Sequence, residues 1–118
     1  MSSNVLVVDD DRDIREALVQ ILTEEGFDVT SAKDGVEALE QIARRTPDVV
    51  LLDLMMPIMN GWQVLQTLRG SVRYAKLPVV VLSALRAEGC SDYIQKPVSL
   101  DRLLNLLEVL RARAPIAS

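Results

Sequence analysis

Polar side chains stand at the ends of four short, largely apolar stretches of this chain. These residues are Asp9 and Asp10, Asp53, Ser83, and Lys96. Short, continuous apolar stretches are typical of strands buried in the middle of a parallel sheet. Such a sheet binds ligands in the crevice beyond the carboxyl ends of its strands. Because all those ends lie on one edge, we expect these side chains to converge there.

Side chains of these types could bind a phosphoryl group and accept it onto a carboxylate. Converging aspartates would repel one another, and a divalent cation would offset the repulsion. Carboxylate oxygens suit Mg²⁺, which keeps several waters and bridges to phosphate oxygens. A lysine acts on phosphate as a point charge, and a serine hydroxyl donates a hydrogen bond. The chain has no histidine and a single cysteine, Cys90, so the nucleophile would be a carboxylate that forms an aspartyl phosphate.

Length and composition narrow the class of protein. The 118 residues suffice for one domain with a real core and are too few for two. One cysteine excludes an internal disulfide, and hard-oxygen ligands favour Mg²⁺, Mn²⁺ or Ca²⁺. A net charge of −4 argues against direct nucleic-acid binding. The first residues carry no signal region, and apolar runs stay far below the roughly 20 residues of a membrane span, so we expect a cytoplasmic protein.

Hydrophobic periodicity places these strand ends within alternating strands and helices. Asp10 or Asp11 is expected to cap a first helix that Gly26 ends, Asp34 to cap a second, and Ser99 to cap the last. The expected inner faces are Ile14, Ala17, Leu18, Ile21 and Leu22; Val36, Leu39, Ile42 and Ala43; Val64, Leu65 and Leu68; and Leu103, Leu104, Leu107 and Leu110. The alternation predicts a parallel sheet with helices on both faces.

Six segments, in this order and spacing, carry a resemblance to a known family. They are Leu6-Val7-Val8-Asp9-Asp10-Asp11, Leu51-Leu52-Asp53-Leu54-Met55-Met56-Pro57, Met59-Asn60-Gly61, Leu77-Pro78-Val79, Leu82-Ser83-Ala84 and Asp92-Tyr93-Ile94-Gln95-Lys96-Pro97. Over nearly its whole length the chain resembles the receiver domain of two-component response regulators. The resemblance implies a flavodoxin-like, doubly wound, five-stranded parallel sheet in the order 2-1-3-4-5. We expect a single receiver domain over 1–118, with its core at 4–113 and a flexible tail at 114–118.

The resemblance also implies what the acidic residues do. Asp53 would be the phosphoacceptor, charged by a phosphohistidine on a histidine kinase or a phosphotransfer protein. Asp10 and Asp53 would ligate Mg²⁺, or Mn²⁺, directly and together with the backbone carbonyl of Met55. Asp9 would act on the cation through water. The protein would then be no enzyme beyond its own phosphorylation and slow dephosphorylation.

The remaining site residues receive roles from the same resemblance. Ser83 and Lys96 would hold the phosphoryl oxygens, and the Lys96-Pro97 peptide bond would be cis. Tyr93 stands where the family carries its switch aromatic. In that scheme Ser83 moves toward the phosphoryl group and Tyr93 turns inward to fill the space that it leaves.

The chain departs from the family between Ser83 and Lys96. Only residues 84–92 join the fourth strand to the fifth, whereas receivers place a full fourth helix there, so we expect that helix to be truncated or missing. The face formed by the fourth helix, fifth strand and fifth helix would then be remodelled. Residues expected to become exposed are Val81, Leu85, Ile94 and Val98. An exposed apolar patch marks a partner site, which predicts a homodimer or a docked downstream protein.

Other functions compete with a phosphoacceptor switch. The chain ends after its last helix, which predicts a stand-alone switch without a DNA-binding or enzymatic output domain, although a segment of a longer protein would have the same sequence. A pseudo-receiver, a constitutive interaction module without phosphorylation, is favoured by the short 84–92 link and opposed by the complete set of acidic residues and lysine. A Mg²⁺-dependent phosphohydrolase commonly has a second aspartate two residues after its nucleophile, and here that position is Met55. A dinucleotide-binding domain is disfavoured, because no G-x-G-x-x-G follows the first strand.

Overall fold

A computed structural model describes residues 4–53, 61–83, 93–95 and 103–105, with the backbone alone for Ser83 and for 93–95. The strands are β1 (Asn4–Val8), β2 (Asp28–Ala32), β3 (Val49–Asp53), β4 (Val79–Ser83) and β5 (Tyr93–Gln95). The helices are α1 (Arg12–Glu24), α2 (Gly35–Arg44) and α3 (Gly61–Arg69). Residues 103–105 are also helical. The predicted alternation of strands and helices is confirmed wherever the chain is described.

The five strands form one parallel sheet in the order β2-β1-β3-β4-β5. The order confirms the predicted fold class, since β1 lies between β2 and β3 and the chain winds outward on both sides of it. In the register of β1 and β3, Val8 pairs with Leu52. Asp9 follows Val8 and Asp53 follows Leu52, so the two aspartates lie side by side at the carboxyl edge of the sheet.

Alternating side chains of the strands fill two apolar layers, one on each face of the sheet. On one face they pack against α2 and α3 through Ala38, Ile42, Val64 and Leu68. On the other face they pack against α1 and the helical residue Leu103, through Leu18, Leu22 and Phe27. Because both faces are covered, β1 and β3 are buried along their whole length. The sheet is therefore a rigid base for the residues that follow its strands.

Side chains and a glycine set the ends of the helices. Asp11, rather than Asp10, caps α1 and accepts from the backbone N–H groups of Asp13 and Ile14. Asp34 caps α2 and accepts from the N–H of Glu37 at 2.8 Å. These caps satisfy N–H groups that the first turn of a helix leaves free.

The C-terminal end of α1 is a Schellman motif. The N–H of Gly26 donates to the carbonyl of Thr23, and the N–H of Phe27 donates to the carbonyl of Leu22. Gly26 has a φ of 94°, a conformation that L side chains rarely adopt. Phe27 and Leu22 then pack in the same apolar layer, which directs the chain from α1 into β2.

Among the described residues that were predicted on inner helix faces, three are exposed: Ala17, Val36 and Ala43. In α2 the buried residues are Gly35, Ala38 and Ile42. Small residues at two of these positions let the helix approach the sheet closely, which turns Val36 outward with 44% of its surface exposed. In α1 the buried face is centred on Leu18 and Leu22. Ala17 lies to one side of that face and is exposed to solvent.

The prediction that Val81 becomes exposed is wrong, because Val81 is 1% exposed within the layer that faces α2 and α3. The other residues of that expected patch, Leu85 and Val98, and the side chain of Ile94 lie outside the described part of the chain. So do the expected truncation over 84–92 and the Ser99 cap. Within the described ranges, no helix has both the length and the apolar character needed to cross a bilayer.

Candidate functional site

Three carboxylates meet at the carboxyl edge of the sheet. Asp53 is the last residue of β3, Asp9 follows β1 directly, and Asp10 comes next. Each offers an oxygen, and these oxygens all lie within 4.8 Å of one another. Asp9 is fully buried and Asp53 is 2% exposed, whereas Asp10 faces solvent. The site therefore has two carboxylates fixed in the protein and one at its mouth; these three are called the acidic cluster below.

The turn from β1 into α1 is held by hydrogen bonds on both sides of Asp9. Its N–H donates to the carbonyl of Ala32 in β2 at 3.2 Å. Its carboxylate Oδ1 accepts from the N–H of Asp11 at 2.9 Å. Its backbone carbonyl accepts from Nη1 of Arg15, on the second turn of α1, at 2.7 Å. The position of Asp9 is thus set by a strand, by the cap of α1 and by a helix side chain.

The other predicted site residues follow from strand register. Asp53 pairs with Leu82, and Ser83 pairs with Gln95. The backbone of Ser83 therefore lies at the carboxyl edge beside the acidic cluster, and Tyr93 begins β5 opposite Val81. Met55, Lys96 and Pro97, with the predicted cis bond, lie outside the described residues.

The acidic cluster fits a hard divalent cation. Its donors are carboxylate oxygens, which Mg²⁺ and Mn²⁺ prefer, and they lie close enough together for one ion to reach all three. Asp10 at the mouth leaves the cluster accessible from solvent, so that water or a phosphoryl oxygen could complete the coordination. The chemistry of the donor set thus supports a cation site at this edge of the sheet.

Arg15 touches the main chain of the acidic cluster and was not among the residues predicted to lie at the site. It was overlooked because an arginine on an amphipathic helix is ordinarily a solvated charge. One signal was available: Arg15 lies four residues after the cap Asp11, so it stands one helical turn above the acidic turn on the same side of α1.

Comparison with known proteins assigns the chain to a family. Residues 5–108 match the response regulator receiver domain. The response regulator MprA of Mycobacterium tuberculosis is 42% identical over 122 residues, which cover 96% of this chain and 52% of that protein. The chain thus spans about half the length of the curated relatives that it matches.

Solved structures show the same fold. The receiver domain of the Francisella response regulator 1452 is 36% identical with a TM-score of 0.88, and the match covers 97% of this chain and all of that one. The chemotaxis regulator CheY4 of Vibrio cholerae is 28% identical with a TM-score of 0.86, over 93% of this chain and 99% of that one.

The matched family, the five-stranded order and the acidic cluster agree, and the chain belongs to the response regulator receiver domains, the phosphoacceptor modules of two-component signalling.

Proposed function

We propose that Asp53 is the phosphoacceptor and that a divalent cation, Mg²⁺ or Mn²⁺, assists its phosphorylation. The observation that carries the proposal is the position of Asp53: the residue is 2% exposed and ends a central strand, and its carboxylate offers an oxygen within 4.8 Å of oxygens of Asp9 and Asp10. A nucleophile that is held in place by a buried strand loses little conformational entropy on reaching the transition state. Asp10 is exposed and lacks such a fixed position. Asp9 follows the equally buried β1 and is proposed to act on the cation instead.

The cation would be held by Asp10, Asp53 and the backbone carbonyl of Met55, with Asp9 acting through water. When bound, it supplies positive charge to phosphoryl oxygens. An oxygen of Asp53 forms the bond to phosphorus while the bond from phosphorus to the donor's imidazole nitrogen breaks. The electron pair of that bond stays on the imidazole, which can then take a proton from solvent.

Ser83 and Lys96 are proposed to bind the phosphoryl oxygens. The register supports both positions, since Ser83 ends β4 beside Asp53 and pairs with Gln95, the residue before Lys96. The lysine would contribute charge and the serine a hydrogen bond. We further propose that the Lys96-Pro97 bond is cis and that Tyr93 is the switch aromatic that responds to Ser83.

The proposed partners are those of the family: a histidine kinase or a phosphotransfer protein as donor, and a downstream protein as receiver of the signal. We propose that residues 1–118 form a single domain in the cytoplasm, with its core at 4–113. We also propose that it is no enzyme and catalyses only its own phosphorylation and slow dephosphorylation. The matched relatives are longer than this chain. Any activity of a longer protein that contains this domain is therefore also a proposal.

One experiment tests the phosphoacceptor. The protein is incubated with Mg²⁺ and acetyl phosphate, and its intact mass is measured. We expect one added phosphoryl group, which is lost in Asp53→Asn and when Mg²⁺ is chelated. Asp11→Asn is the matched control, because asparagine caps a helix as well as aspartate does, and it should be phosphorylated normally. Labelling that persists in Asp53→Asn would place the phosphoryl group elsewhere and overturn the proposal.

A pseudo-receiver is the second candidate, and the short interval from Ser83 to Lys96 favours it. It predicts no phosphoryl adduct and no spectral change with beryllofluoride, while partner binding is unaffected by Asp53→Asn. A phosphohydrolase would instead show continuing turnover of phosphoesters.

A homodimer through the face around β5 is the proposed consequence of the short link. Size-exclusion chromatography with light scattering tests it directly. A monomer at high concentration, both before and after phosphorylation, would exclude the homodimer and leave a different downstream protein as the partner.

A further inference from the structure

Arg15 connects the side of α1 to the main chain of the acidic cluster. Its Nη1 donates to the backbone carbonyl of Asp9 at 2.7 Å, a short distance of the kind seen in charge-assisted hydrogen bonds. The guanidinium does not need to reach a carboxylate to affect the cluster, because the carbonyl that it holds belongs to the peptide unit between Asp9 and Asp10.

That peptide unit is planar, so its carbonyl oxygen and the nitrogen of Asp10 move together. The unit can still rotate about the line through its two Cα atoms, and such a rotation changes ψ of Asp9 and φ of Asp10. A hydrogen bond to the carbonyl oxygen resists this rotation. The backbone angles on both sides of this unit also determine where the Cα and Cβ of Asp10 lie, so a contact that holds the Asp9 carbonyl restrains the base from which the Asp10 side chain extends.

Asp10 needs this support more than the other members of the cluster do. Asp53 is part of a fully buried strand, and Asp9 is buried with its Oδ1 bonded to the N–H of Asp11. Asp10 is exposed, so packing contributes less to its direction than it does for Asp9 and Asp53, and a fixed backbone contributes more. We propose that Arg15 is a positioning residue that orients the Asp10 carboxylate toward a divalent cation by holding the Asp9–Asp10 peptide plane.

This inference rests on the proposed cation site, and calorimetry of Mg²⁺ binding separates the two. If the unmodified protein binds no Mg²⁺, the proposed site fails. If it does bind, we expect Arg15→Met to weaken Mg²⁺ binding at least about tenfold, within the range seen when residues that orient metal ligands are removed. A change of less than twofold in Arg15→Met would overturn the inference while leaving the cation site intact.

Arg12→Met is the matched control. Arg12 lies on the same helix, and its side chain is 78% exposed and paired with Glu16 at 3.1 Å. Its loss removes the same charge without touching the Asp9 carbonyl. We expect Mg²⁺ binding of Arg12→Met to stay within about twofold of the unmodified protein. Equal losses in both variants would mean that charge alone acts, and would contradict a positioning role.

The structure also allows chemical rescue. An open surface pocket of about 300 Å³ adjoins Arg15 and is lined by Arg15, Glu16, Val19, Gln20 and Ser31. Truncation in Arg15→Ala would extend this space, so that millimolar guanidinium can enter and donate to the Asp9 carbonyl. We expect guanidinium to restore part of the Mg²⁺ affinity of Arg15→Ala and to leave that of Arg12→Ala unchanged. No selective restoration would count against the proposal.

A measurement on the unmodified protein keeps the inference testable if the variants do not fold. The guanidinium protons of Arg15 should exchange with water more slowly than those of Arg12 in NMR spectra without metal. Their exchange should slow further as Mg²⁺ is added, because a bound cation steadies the same peptide plane. Exchange as fast as that of Arg12, with no response to Mg²⁺, would overturn the proposal.

Discussion

Asp53 pairs with Leu82 in the parallel register of β3 and β4, so Ser83 extends one residue beyond it at the edge of the sheet. Ser83 in turn pairs with Gln95, and Lys96 follows. Asp53, Ser83 and Gln95, the residue before Lys96, therefore lie at the ends of the neighbouring strands β3, β4 and β5. This arrangement follows from strand pairing alone and makes the predicted role of Lys96 open to a direct test.

Replacement of Lys96 should slow phosphorylation without abolishing cation binding. In Lys96→Met we expect the rate of adduct formation from acetyl phosphate to fall about 100-fold, as when one preorganised group that stabilises transition-state charge is removed. Quench-flow or timed mass measurements give the rate, and calorimetry gives Mg²⁺ affinity. Lys76→Met, in the exposed loop before β4, is the control for loss of a lysine charge. Equal rates in the two variants would remove Lys96 from the site.

Mg²⁺ should stabilise the folded protein through Asp10. At a Mg²⁺ concentration of 100 times its Kd, binding to the folded state alone adds about 2.7 kcal/mol to the free energy of unfolding. We expect thermal denaturation with and without Mg²⁺ to show this shift in the unmodified protein and to lose most of it in Asp10→Asn. Asp13→Asn, an exposed neighbour on α1, should keep the shift. A full shift in Asp10→Asn would show that Asp10 is not a ligand.

The central strand should be far more sensitive to truncation than the outer face of α2. Leu52 is fully buried in β3, and Leu52→Ala should lower the free energy of unfolding by about 2–5 kcal/mol. Val36 is 44% exposed, and Val36→Ala should change it by less than about 0.5 kcal/mol. Urea denaturation of both variants provides the measurement. A loss in Val36→Ala close to that in Leu52→Ala would contradict the observed orientation of α2.

The cap of α2 offers a stability test that leaves the acidic cluster untouched. Asp34→Ala removes the acceptor for the N–H of Glu37 and should cost about 1 kcal/mol of folding free energy. Asp34→Asn retains a capping oxygen and should cost much less. If both variants lose the same amount in urea denaturation, the negative charge at the helix N-terminus, rather than the hydrogen bond, supplies the stabilisation.

Much of the fold could be predicted from the sequence because several local signals agreed. The apolar strands, the caps at Asp34 and at Asp10 or Asp11, and the turn at Gly26 each favoured the same alternation of strands and helices. The strand order came from the resemblance, because residue patterns fix which elements form and do not fix which strands are neighbours. The structure confirms that order.

The orientation of each helix was harder to predict, because it depends on close packing. Val36 fits an apolar stripe in the sequence, yet Gly35 and Ala38 allow the closest approach to the sheet and take the inner positions. In the candidate site, the meeting of Asp9 and Asp53 follows from strand ends. The contact between Arg15 and the Asp9 carbonyl depends on a side-chain rotamer and on a turn conformation, neither of which residue types reveal.

The location of β5 at the border of the sheet determines how the length of the 84–92 link affects the acidic cluster. The acidic cluster depends on β1 and β3, each of which has a strand on both sides, whereas β5 has a neighbour only in β4. The short 84–92 link joins the two strands farthest from β1 on that side of the sheet. Residues can thus be lost there while the pairing of β1 with β3 stays unchanged. The geometry of the acidic cluster is therefore independent of the length of the chain at this border of the sheet.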